Sequence, residues 1–145
     1  MTSKELLDLY VARYNAGDLD GVMELYADDA VQNMPDGTYE GKRAITDRLA
    51  VELSAFSDVN HTVRSFVGQG DAFCDEWTFA GTNTGTLLLP DGRELPATGK
   101  QVEIKGMEYC LMRNGKLIVN TLYYDNMAVA FQLGLIYEAR EPTLA

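Results

Sequence analysis

The hydrophobic pattern changes period once, near Val59, and that change constrains the fold more than any other feature of the chain. Before it, apolar residues recur at helical spacing: Leu6, Leu9, Tyr10 and Tyr14, with Leu7 beside them, and then Leu19, Val22, Met23 and Tyr26. A recurrence every three or four residues gathers side chains on one face of a helix. After it, residues 59–69, 72–85, 102–112 and 117–124 are rich in Val, Thr, Phe and Tyr and read as strands. Helices followed by strands imply an α+β layer fold with a mostly antiparallel sheet. At 145 residues, 1–145 is expected to form one domain.

Local signals punctuate this pattern. Thr2 or Ser3 caps a first helix, with Glu5 placed to complete a capping box, and Asn15-Ala16-Gly17 ends it. A short second helix follows Asp18, with Asp20 in its first turn. Residues 30–34 read as a brief extended segment before the Pro35-Asp36-Gly37 turn, and residues 42–55 as a third helix. Asn114-Gly115 is the strongest hairpin signal, because both residues accept the positive φ of a two-residue turn. Residues 84–89 are expected to continue a long bent strand, with Asp91-Gly92 turning it and residues 96–99 forming a rim loop. Residues 126–133 read as a short helix and residues 136–145 as a tail.

Charge excludes several functions. Twenty-two acids against twelve Lys and Arg give −10, and no basic run exceeds Lys42-Arg43, so nucleic acid and anionic membrane are not expected partners. The single histidine, His61, and the separated Cys74 and Cys110 provide no metal-ligand spacing and no CxxC, and no GxSxG elbow supports a serine nucleophile. The chain shows neither a signal peptide at its start nor an apolar run long enough to span a membrane. The expectation is a cytoplasmic protein.

The run Tyr10-Val11-Ala12-Arg13-Tyr14-Asn15-Ala16-Gly17-Asp18, continuing through Leu25-Tyr26-Ala27-Asp28-Asp29-Ala30, resembles the N-terminal helix pair of the NTF2-like superfamily, and the ketosteroid isomerases in particular. Glu76-Trp77-Thr78-Phe79-Ala80-Gly81-Thr82-Asn83-Thr84-Gly85, with Pro96-Ala97-Thr98-Gly99-Lys100, resembles the SnoaL-like polyketide cyclases. So does the ending Asn114-Gly115-Lys116-Leu117-Ile118, Tyr124-Asp125 and Gln132-Leu133-Gly134. The resemblance implies an NTF2-like cone, a curved sheet capped by three N-terminal helices, with a cavity inside. It further implies a homodimer, a small apolar ligand or substrate, and no cofactor or metal. Activities in this group include aldol cyclisation of polyketides, steroid isomerisation, epoxide opening and non-catalytic binding.

Carried over by position, the resemblance makes Asp125 the general acid/base; a local reading makes it the N-cap of the last helix. Tyr10 falls where the isomerases place a phenol that donates to an enolate, and it also sits on the apolar stripe of its helix. The isomerase base position holds Met34, which takes no proton. Asn33 matches a cavity-lining asparagine of the cyclases, or serves the turn before Pro35. Asn83 replaces a family histidine, and Tyr109 is positioned to replace a second. Asp75 and Trp77 share one strand face and Glu76 takes the other. Catalysis is therefore expected from Asp125, Tyr10 and Asn33, and substrate binding from Tyr14, Met34, Asp75, Trp77, Asn83, Met107 and Tyr109. The products of this reading are a cyclase or isomerase acting on an apolar carbonyl compound, with a non-catalytic ligand-binding or scaffold protein as the alternative.

Overall fold

The computed structural model describes residues 1–135; the expected tail at 136–145 lies outside the described residues. Helix α1 (Ser3–Asn15) begins with the full capping box: the Thr2 hydroxyl accepts from the Glu5 amide, and the Glu5 carboxylate accepts from the Thr2 amide. Helix α2 (Leu19–Met23) is capped by the Asp18 side chain. Together they bury Leu6, Leu7, Tyr14, Val22 and Met23, each a contribution of roughly 1.5–3 kcal/mol where the side chain is a full-sized hydrophobe.

Strand β1 (Tyr26–Met34) starts four residues earlier than the sequence suggests and turns at Pro35-Asp36 into β2 (Gly37–Glu40), which the sequence pattern does not announce. Helix α3 (Lys42–Ala55) follows, burying Ile45, Leu49 and Ala55. Next come β3 (Asn60–Gln69) and β4 (Ala72–Thr82). The expected long bent strand stops at Thr82. Residues Leu87–Leu88 (β5) and Glu94–Leu95 (β6) form a separate small hairpin instead. The break has a local cause: Asn83 turns its amide into the loop, donating to Ala55 O and Gly85 O and accepting from the Thr98 amide and hydroxyl.

β7 (Gln101–Arg113) and β8 (Lys116–Tyr124) form the expected hairpin, with Asn114 and Gly115 both at positive φ. Helix α4 (Asn126–Gln132) closes the described chain and is held to β7 by paired bonds between the Gln132 amide and the Glu103 backbone. The six-stranded sheet runs β2-β1-β8-β7-β4-β3. It is mixed: every pair is antiparallel except β1 with β8. Helices α1 and α3 pack on one face, over Phe73, Trp77, Phe79, Val102 and Leu117. No helix among the described residues is long and apolar enough to cross a membrane.

Candidate functional site

Strand alternation decides what reaches the helix-covered face. On β4 it sends Phe73, Asp75, Trp77 and Phe79 inward and Glu76 outward. On β7 it sends Glu108 and Cys110 inward and leaves Met107 and Tyr109 outside. Asp75 and Glu108 are direct cross-strand partners, so two carboxyls stand side by side in the interior. The parallel pairing of β1 with β8 adds a second inward pair, Gln32 beside Asn120.

Between this face and the helices lies a cavity of about 540 Å³. Tyr10 and Tyr14 of α1, Arg48, Leu49 and Glu52 of α3, Trp77, Phe79, Glu108 and Tyr124 of the sheet, and Leu87 to Pro90 around β5 line it. An aromatic series runs along the wall: Tyr14 meets His61 with ring centroids 5.8 Å apart, His61 meets Trp77 at 5.2 Å, and Trp77 meets Tyr124 at 5.8 Å. The indole rests on Gly106, where a Cβ would overlap the ring, so only glycine fits at that position. Arg48 donates to Asp36 at 3.1 Å and lies over the Tyr39 ring. The lining is thus apolar over most of its area with a few converging polar groups, the usual make-up of a small-molecule site.

The polar centre is Asp75, Glu108 and His61. All three are buried, and one ligand atom from each lies within 4.8 Å of the others. Neither oxygen of Asp75 meets a donor, and nor does Nε2 of His61. Burial first, and then the charge of Glu108, push the Asp75 carboxyl up to about 9. Burial likewise raises Glu108, opposed by the hydrogen bond from Asn120, while it pushes His61 down to about 4. One proton held by Asp75 and directed at Glu108 satisfies both effects, because two adjacent buried carboxylates do not both ionise near neutrality. Glu108 is then the ionised member, receiving the Asn120 amide at 2.6 Å. His61 is neutral, its backbone pinned in both directions by the Asn15 side chain at 2.7 and 2.9 Å.

His61, Asp75 and Glu108 come from three strands, so sequence spacing gave no sign of a ligand cluster where the sheet assembles one. Ligand atoms around a single Zn²⁺ at about 2.0–2.2 Å would stand roughly 3–3.5 Å apart. The three ligand atoms lie within 4.8 Å of one another, a bound that takes in such a spacing.

From Glu108 a hydrogen-bonded chain leads to α1. Asn120 Oδ1 accepts from Gln32 Nε2 at 2.9 Å and from the Tyr26 hydroxyl at 3.1 Å, and Tyr26 lies 3.5 Å from the Tyr10 hydroxyl. Burial, and then the charge of Glu108, push the Tyr10 phenol far above its ordinary value, so it remains a neutral donor.

Of the residues the sequence singles out, Tyr10, Tyr14, Met34 and Trp77 line the cavity, and Asp75 stands behind Glu108. The structure does not bring the others there. Asp125 is exposed and caps α4, accepting from the Met127 and Ala128 amides at 3.0 and 3.1 Å. Asn33 lies on the far sheet face against Thr121 and Thr38. Met107 and Tyr109 share that outer face through strand parity, and Asn83 is spent on its loop. Glu108, His61, Gln32 and Asn120 were not singled out for the site. The signal available for Glu108 was its parity with Cys110 and Met112; the other three depend on strand pairing.

Over residues 4–133 the sequence matches the family model of the SnoaL-like polyketide cyclases, and the chain belongs to that family within the NTF2-like superfamily. Solved structures agree on the fold. AclR from Streptomyces galilaeus, a candidate hydroxylase, superposes with a TM-score of 0.79 at 22% identity, over 92% of this chain and 96% of AclR. IdmH from Streptomyces antibioticus, a candidate polyketide cyclase, gives 0.75 at 24% identity, over 92% of this chain and 99% of IdmH. TerC, co-crystallised with polyporic acid, gives 0.70 at 19% identity over 90% and 97%.

Proposed function

We propose that this chain is a proton-transfer enzyme of the cyclase or isomerase type, acting on an apolar carbonyl compound held in the cavity. The observation that carries the reading is the buried Asp75–Glu108 pair beside the cavity wall. Glu108 is the general base. It faces the cavity, and desolvation raises its basicity toward the working pH, where such catalysis is most efficient. Asp75 keeps its proton and directs it at Glu108, so the pair carries one negative charge.

The step is an enolisation. The Glu108 carboxylate takes a proton from the carbon next to the carbonyl, the C–H electron pair moves into the enolate, and the oxygen gains negative charge. Tyr10 donates a hydrogen bond to that oxygen, an interaction that strengthens as charge develops. Return of the proton from Glu108 to another carbon isomerises the substrate; attack of the enolate carbon on a second carbonyl closes a ring, and the alkoxide so formed takes the proton back from Glu108. Every proton in this sequence moves through the side chains named. The family supports the cyclase branch, and TerC, which shares the fold, was co-crystallised with polyporic acid. Asp125 serves helix α4 in this account.

Deuterium exchange into cyclic ketones in heavy water, followed by NMR, tests the proposal without knowledge of the natural substrate. Wild-type protein should catalyse exchange at the α-carbon of at least one ketone, and Glu108→Gln should lower that rate about 10²–10⁴-fold, the usual worth of a general base. A second reading, a binding protein of the same fold, draws on the exposed position of Asp125. Ketone binding with no exchange in wild type would favour it.

A further inference from the structure

We propose that Asn120 is the positioning residue of the site: it decides which of the two buried carboxyls is the base, placing the negative charge on Glu108 and leaving the proton to Asp75. Its importance for turnover rests on Glu108 being the base. Asp75 and Glu108 are cross-strand partners in one interior, and their side chains differ by a single methylene. What separates them is their neighbours. Asn120 Nδ2 donates to Glu108 Oε2 at 2.6 Å, whereas no donor meets either oxygen of Asp75. A hydrogen bond to a carboxylate favours its charged form. The choice matters because Glu108 lines the cavity and Asp75 does not. A charge on Asp75 would lie behind the wall.

Asn120 can hold this role because its amide is fully committed. It is 2% exposed and stands on β8, between β1 and β7. One N–H goes to Glu108 and the other to Cys110 Sγ at 3.3 Å. Its Oδ1 accepts from Gln32 Nε2 at 2.9 Å and from the Tyr26 hydroxyl at 3.1 Å. Two donors and two acceptor positions are the full capacity of a carboxamide. Turning the amide over would aim Oδ1 at a carboxylate and Nδ2 at two donors, so the N–H facing Glu108 is fixed. The other titratable groups around the pair are His61 of β3, Tyr10 of α1, Tyr26 of β1 and Cys110 of β7. Burial holds each in its neutral form near pH 7, and none of them bonds to either carboxyl. On α3, Arg48 is engaged by Asp36, and neither it nor Glu52 bonds to the pair. Nothing else among the described residues substitutes for Asn120.

The test is ¹³C NMR of full-length protein labelled at the Asp and Glu carboxyl carbons, read beside ketone exchange in heavy water. In wild type the carboxyl protonated at pH 7 should be that of Asp75. Asn120→Leu keeps the volume and removes the donor, so the proton should pass to Glu108, whose signal is assigned by its loss in Asn120→Leu/Glu108→Gln. Exchange at pH 7 should then fall about tenfold or more, the worth of a hydrogen bond to a charged group. The pH at which exchange sets in should rise by about one unit or more, which a merely structural defect would not produce. Tyr26→Phe keeps the ring and removes one of the two bonds holding Oδ1. It should move the Glu108 carbon the same way by less, so the proposal stays testable if Asn120→Leu folds poorly. Asp75 still protonated and Glu108 still ionised in both variants, with the wild-type pH profile, overturns the role of Asn120. A wild type with no protonated carboxyl at pH 7 overturns the pair and that role together. Transfer of the proton to Glu108 in Asn120→Leu, with no ketone exchange even in wild type, upholds the role of Asn120 and sinks the catalytic reading alone.

Discussion

The two faces of the sheet are made by the same strands and differ only by a one-residue alternation, yet they have opposite chemistry. On the helix-covered face Asp75, Glu108, Gln32, Asn120 and His61 are all buried around a cavity. On the other face Glu76, Met107, Tyr109 and Tyr123 are exposed. A carboxylate at 75 is forced to find a proton or a partner; a carboxylate at 76, one residue away, accepts a bond from Ser65 at 2.7 Å and is solvated. Side-chain type alone therefore does not mark a functional residue in this chain. Parity combined with burial does.

The largest effect expected from breaking this contrast is on stability. Trp77→Ala should cost about 3–5 kcal/mol, the usual range for removing a buried aromatic, whereas Tyr123→Ala on the open face should stay within about 0.5–1 kcal/mol. Urea denaturation of the two variants side by side measures the difference.

Next in size is a dependence on pH. The Asp75 carboxyl is pushed up to about 9, above its value in the unfolded chain, so the folded state holds a proton that the unfolded state has released. Its contribution is complete below the unfolded value near 4 and is lost as pH rises toward 9. His61, pushed down to about 4, acts in the other direction: its contribution is present above about 6.5 and is lost as pH falls toward 4. The two oppose each other below about 6.5; above it Asp75 acts without opposition from His61. Wild-type stability should accordingly fall between pH 6.5 and 9, by at most about 1.4 kcal/mol per pH unit for one proton. Asp75→Asn should flatten that fall, and a series of urea midpoints across the range checks it.

A smaller change is expected at Asp125. Asp125→Ala removes two hydrogen bonds to the first turn of α4 and should cost about 1 kcal/mol, as lost N-caps do. Ketone exchange should be altered less than twofold, since the side chain is exposed and outside the cavity. A loss of exchange as large as that of Glu108→Gln would return the base to the last strand end.

The fold was legible wherever the determinants are local. The Thr2 capping box, the Asn114-Gly115 hairpin and the opposite orientations of Asp75 and Glu76 follow from neighbouring residues, and the family resemblance was sound. The site was much less legible. Gln32 meets Asn120 through a parallel pairing of strands separated by most of the chain. His61, Asp75 and Glu108 converge from three strands. No periodicity predicts which strands become neighbours. Position in a family motif was a poor substitute: it directed attention to Asp125 and Asn83, whose polar atoms serve a helix cap and a loop.

The central claim is that the helix-covered face holds a carboxyl pair sharing one proton at neutral pH. ¹³C NMR of protein labelled at the Asp and Glu carboxyl carbons reads this directly across a pH titration. The account predicts a carboxyl still protonated at pH 7, titrating near 9 and absent from Asp75→Asn. Titration of every Asp and Glu carboxyl below about pH 5, in the ordinary carboxylate range, would contradict it.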